Sequence, residues 1–108
     1  MQIPDYCQTT IHSAHFLSFR LPITAFGFQD TMIVEISADY FLSDDESQYF
    51  VNVWARQDPG TTKCFIMPMT IPASDHPETD IVAALNENEQ FDSTMHDFIH
   101  MITKYCCD

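Results

Sequence analysis

Two histidines stand four residues apart in the run His96-Asp97-Phe98-Ile99-His100. On a helix, that spacing puts both imidazoles on one face, where they can share a zinc ion. The acid between them would then be the general base, as glutamate is in the HExxH pattern. Here it is aspartate, one methylene shorter. A catalytic zinc needs a third protein ligand; Glu78, Glu87, His76 and Cys107 are available, and spacing singles out none of them.

The apolar positions of the same stretch weigh against a metal. Met95, Phe98, Ile99, Ile102, Tyr105 and Cys106 form the stripe of an amphipathic helix. At about 100° per residue, His96 falls about 120° and His100 about 160° from the centre of that stripe. Both are expected on the solvent side, together with Asp97. His96 and His100 are therefore weak metal candidates, and no metal or other cofactor is expected. His12 and His15, three apart in a strand-like segment, fall on opposite faces and do not share a ligand easily.

Other chemistry finds little support. Cys7, Cys64, Cys106 and Cys107 contain no CxxC pair and read as reduced thiols. A nucleophilic thiolate needs an electropositive setting, which an acid-rich chain does not offer. No GxSxG, P-loop or GxGxxG motif occurs. With only Gly27 and Gly60, a phosphate cradle is not expected. No catalytic residue is assigned, and the chain is expected to bind rather than catalyse.

Charge is the strongest signal. Sixteen acids face four bases, Arg20, Arg56, Lys63 and Lys104, for a formal net charge of −12. Between Lys63 and Lys104 no lysine or arginine interrupts Asp75, Glu78, Asp80, Glu87, Glu89, Asp92 and Asp97. Direct nucleic-acid binding and anionic membranes are both opposed by this balance. Two groups of acids stand out as candidate partner-binding residues. Asp44, Asp45 and Glu46 lie in a turn, and Glu87, Glu89 and Asp92, followed by Asp97, lie between and on helical segments.

The elements that must position these residues follow from periodicity. In 11–21, Ile11, Leu17, Phe19 and Leu21 share one face, with Arg20 on the other, until Pro22 interrupts. ITAFGF at 23–28 reads as a short strand or a continuation after a bend. Met32, Val34, Ile36, Ala38 and Tyr40 alternate with Ile33, Glu35, Ser37 and Asp39 in the clearest strand. After the SDDES turn, Tyr49, Val51, Val53 and Ala55 face one way and Phe50, Asn52 and Trp54 the other. QDPGTT is a second turn. Phe65, Met67, Met69 and Ile71 then alternate, and Pro68 predicts an edge strand or a bulge. Pro77 opens a helix to about residue 88, and Asp92 or Ser93 is expected to cap a second.

Short turns favour antiparallel pairing. The expectation is α+β: an antiparallel, meander-like sheet of four or five strands followed by one or two C-terminal helices packed on one face. At 108 residues with 45% hydrophobic content the chain reads as a single domain, 1–108, able to bury its own core. The other sheet face would expose Phe16, Phe50 or Trp54 unless a partner or second subunit covers it. The N-terminus lacks a basic region followed by an apolar one, and no apolar run approaches the ~18 residues of a membrane span. A cytoplasmic monomer or homodimer is expected.

The leading functional expectation is a small acidic inhibitor that occupies the basic surface of a nucleic-acid-processing enzyme, its carboxylates standing in for phosphates. Small phage or plasmid anti-defence proteins, some anti-CRISPR proteins among them, are of this class; the likeness is one of class, without a family motif. An immunity or antitoxin protein against a basic nuclease toxin would use the same physics. A secretion chaperone would instead use the apolar sheet face and dimerise. A small metal-dependent hydrolase using His96 and His100 is the enzymatic alternative.

Overall fold

A computed structural model of the chain describes residues 15–106. The readings of Cys7, Ile11, His12 and Cys107 lie outside the described residues, as do the side chains of Tyr105 and Cys106. The chain forms β1 (Phe16–Pro22), a 3-10 turn (Ile23–Phe26), β2 (Ile33–Leu42), β3 (Gln48–Asp58), β4 (Cys64–Pro72), α1 (Pro77–Asn86) and α2 (Glu89–Cys106). The strands pair antiparallel in the order β1-β2-β3-β4, a meander that the two short turns 43–47 and 59–63 enforce. Two C-terminal helices complete the α+β architecture.

Alternation decides which side chains enter the core. Leu17, Phe19 and Leu21 of β1, Val34, Ile36, Ala38 and Tyr40 of β2, and Val51, Val53 and Ala55 of β3 share the inward face. Ile81, Val82 and Leu85 of α1 close over them, with Phe91, Met95, Phe98, Ile99 and Ile102 of α2. Each buried valine, leucine, isoleucine, phenylalanine or methionine among them contributes about 1.5–3 kcal/mol. Burial raises the pKa of the Tyr40 hydroxyl, with smaller contributions from Glu78 and Tyr49.

Three local expectations change. Residues 23–26 are a 3-10 turn rather than a strand. Pro22 ends the ladder, the Ile23 amide bonds to the Met32 carbonyl at 2.9 Å, and Ile23 and Phe26 drop into the core. Gly27 follows at φ +91°, a backbone conformation side chains resist.

In β4, Val53 pairs with Met67 but Trp54 pairs with Phe65, so Ile66 is the extra residue of a bulge. The bulge reverses the alternation before it. Phe65 therefore faces outward, against Trp54 at 5.1 Å, instead of joining Met67, Met69 and Ile71. Pro68 sits on the edge strand beside that bulge.

The second helix starts at Glu89, because Asn88 rather than Asp92 or Ser93 caps it. Its Oδ1 accepts the Phe91 amide at 2.8 Å. Among the described residues no helix is long and apolar enough to cross a membrane.

Candidate functional site

The α1–α2 junction is two residues long, Glu87 and Asn88. The Glu87 and Asn88 amides bond back to the carbonyls of Ala84 and Leu85, both at 3.2 Å, and so close the end of α1. The Asn88 cap then starts α2 at once, and Leu85 and Phe91 on either side of the junction are buried in the core. Helical spacing gathers Glu89, Asp92, His96 and Asp97 along one side of α2, and Glu87 of the junction adjoins them. Glu87, Glu89, Asp92 and Asp97 all line one open groove of about 370 Å³, with His96 and no lysine or arginine. Glu87, Glu89 and Asp97 are exposed, and Asp92 is half-buried. Glu89 and Asp92 lie in the first turn of α2, where the helix dipole favours negative charge and makes this density tolerable.

The other predicted acids are elsewhere. Asp44, Asp45 and Glu46 occupy the β2–β3 turn, at the end of the sheet where Leu42, Gln48 and Pro72 meet. The junction sits at the opposite end, where Phe91 packs against Phe26 of the 3-10 turn at 6.3 Å. The two groups share no lining residue and lie toward different ends of the sheet. The three turn acids also differ in role. Asp45 Oδ1 accepts bonds from Ser43 Oγ (2.7 Å), Ser47 Oγ (2.7 Å) and the Ser47 amide (3.0 Å). The Ser47 and Ser43 hydroxyls, with the Ser47 amide, lower its pKa to about 2. Asp45 thus organises the turn, while Asp44 and Glu46 project from it. Glu46 adopts φ +60°, where a glycine would be unstrained.

His100 is exposed and His96 partly so, as expected of this side of α2, but both rings also stand against aromatic rings. The His96 ring lies 5.3 Å from Phe28 and 6.4 Å from Phe26, and the His100 ring lies 5.1 Å from Phe28. His96 Nε2 is also 3.9 Å from Asp92 Oδ2, its neighbour one turn back. The Gly27 turn delivers Phe28 to this flank of α2, which helical geometry alone does not foresee. Among the described residues no three His, Cys, Asp or Glu side chains gather as a metal site would require.

His76 belongs to a different arrangement, at the start of α1. Its Nδ1 is 3.1 Å from Asp80 Oδ1 and 3.4 Å from Ser74 Oγ, and Ser74 donates to Asp80 Oδ2 at 2.5 Å. Serine and acid converge on the same ring nitrogen. A Ser-His-Asp relay needs them on opposite nitrogens, so this cluster reads as a brace for the helix start.

The bases are largely engaged within the chain. Arg20 Nε pairs with Asp58 at 2.8 Å. Arg56 pairs with Glu35 at 2.9 Å and Asp58 at 3.5 Å, and also bonds the carbonyls of Gln57 and Gly60. Lys63 Nζ lies 5.4 Å from the centre of the Phe16 ring. None of these three cations lines the groove at the α1–α2 junction.

The outward sheet face exposes Phe41 and Phe65 as well as the expected Phe50; Phe16 and Trp54 are half-buried. Phe41 stands opposite Phe50, rings 5.4 Å apart. Comparison with models of known protein families found no match, and comparisons with curated proteins and with solved structures found none either.

Proposed function

We propose that this chain is an acidic binding protein that inhibits a nucleic-acid-processing enzyme by occupying its basic surface. One observation carries the reading: Glu87, Glu89, Asp92 and Asp97 line a single groove at the start of α2 with no lysine or arginine. Carboxylates presented this way imitate a run of phosphates and attract arginines and lysines that otherwise bind nucleic acid. Complementary charge of this kind speeds encounter and excludes anionic competitors. A nuclease toxin, with the chain as its immunity protein, fits the same physics. The reading places the protein in the cytoplasm, where such enzymes work, and requires no cofactor.

The test is capture of partners from the native host followed by binding measurements with the purified partner. A basic nucleic-acid enzyme is expected, displaced by duplex DNA or RNA. Affinity should fall steeply as salt rises from about 0.1 to about 1 M, because the Debye length shrinks from about 10 to about 3 Å. Combining Glu89→Gln, Asp92→Asn and Asp97→Asn should weaken binding and flatten that salt dependence. Salt-insensitive association, or a partner with no basic surface, would end the proposal.

A further inference from the structure

The β2–β3 end of the sheet carries a surface that the acidic groove does not explain. Phe41 and Phe50, cross-strand partners on the outward face, are 53% and 37% exposed. With Asp44 and Asp45 they line an open hollow of about 510 Å³ that contains no lysine, arginine or histidine. Asp39, two residues before Phe41 and on the same face, is also exposed, as is Glu46.

Phenyl faces carry negative potential and attract cations, and carboxylates around them add to the field. This sheet face already holds one such contact: Lys63 Nζ sits over Phe16, the cross-strand partner of Asp39. Arginine suits the hollow better than lysine. Its guanidinium is planar and weakly hydrated, so it stacks on a ring while its N–H groups bond a carboxylate. A second copy of the chain fits poorly, since a two-fold contact would press the same acids together in a chain of net charge −12. Nucleic acid and anionic lipid are repelled for the same reason.

We infer that the outward face at Phe41, Phe50 and Asp44 docks an arginine-bearing basic polypeptide segment of the partner. This inference rests on the binding function proposed above and adds a second point of contact, at the far end of the sheet from the α1–α2 groove.

The experiment follows amide shifts of the isotope-labelled full chain by NMR. The probes are a short synthetic peptide of alternating arginine and glycine, and its lysine and glutamate counterparts. The arginine peptide is expected to shift Phe41, Asp44 and Phe50, and to bind several-fold tighter than the lysine peptide. Phe41→Leu keeps apolar area but removes the ring, and should weaken the arginine peptide by about two- to fivefold. Equal arginine and lysine affinities unaffected by Phe41→Leu would overturn the inference, as would a dimer that Phe41→Ala abolishes. Shifts confined to the α1–α2 groove would remove this inference and leave the proposed function standing. Shifts at neither surface would remove both.

Discussion

Replacing Arg56 by methionine is expected to destabilise the protein by about 2–3 kcal/mol. The Arg56 side chain is 17% exposed and that of its partner Glu35 14%, with 2.9 Å between them. Breaking a fully buried ion pair from one side costs about 3–5 kcal/mol, because the remaining charge is left without a partner; exposed pairs contribute about 0–1. This pair lies nearer the buried limit, with a discount for the solvent it still sees. The bonds from Arg56 to the carbonyls of Gln57 and Gly60 add little, because water can replace them near the exposed turn.

Methionine retains much of the apolar stem, so packing loss is small. The double variant Arg56→Met with Glu35→Met removes both charges and should return to within about 1 kcal/mol of the parent. Trp54, the single tryptophan and two residues from Arg56, reports urea unfolding directly. The melting temperature of the single variant should fall by roughly 8–20 °C. If Arg56→Met unfolds within about 0.5 kcal/mol of the parent, or the double variant is no better than the single, the pair is not the brace described.

Three further outcomes follow from single contacts. Asn88→Ala removes the α2 cap and should cost about 1 kcal/mol, whereas Asn88→Asp or Asn88→Ser should lose far less; thermal melts compare them. Asp45 has its carboxyl lowered to about 2. Its ionised form therefore favours the folded state fully above about pH 4 and progressively less as the pH falls toward about 2. Asp45→Asn should flatten that part of the acid-unfolding curve, and an NMR titration midpoint near the ordinary carboxylate value would contradict the hydrogen-bond account. Glu46→Gly relieves a left-handed backbone and should stabilise the chain by up to about 1 kcal/mol in urea melts; a clear loss would mean that the carboxylate makes a stabilising contact.

Much of the framework was legible in the chain because it depends on near neighbours. Alternation in 32–40 and 49–55 gives the inward and outward sets of β2 and β3, and two short turns leave only antiparallel pairing. Pro77 opens α1 where expected, and the stripe Met95, Phe98, Ile99 and Ile102 is the buried side of α2. Phe91, fully buried, lies within an acidic run whose polarity gives no sign of a core position. Asn88 was missed as a cap because Asp92 and Ser93 are equally good capping types, and only the position of Phe91 in the core selects among them.

By itself, then, the sequence determined the α+β class, the order of elements and the excess of negative charge, since these are local or additive properties. Only the tertiary structure decided what surrounds that charge. The bulge at Ile66, which turns Phe65 outward, depends on how β4 registers against β3. The engagement of Arg20 and Arg56 depends on strand pairing, which sets Arg20 against Glu35 and Glu35 against Arg56. The packing of His96 and His100 on Phe28 requires a turn some seventy residues earlier in the chain. The gathering of Glu87, Glu89, Asp92 and Asp97 in one groove is local, because three of them share a side of α2 and Glu87 directly precedes it; its placement away from Asp44 and Glu46 is tertiary. Spacing along a chain sets which face of an element a side chain occupies; packing against distant residues sets which faces meet.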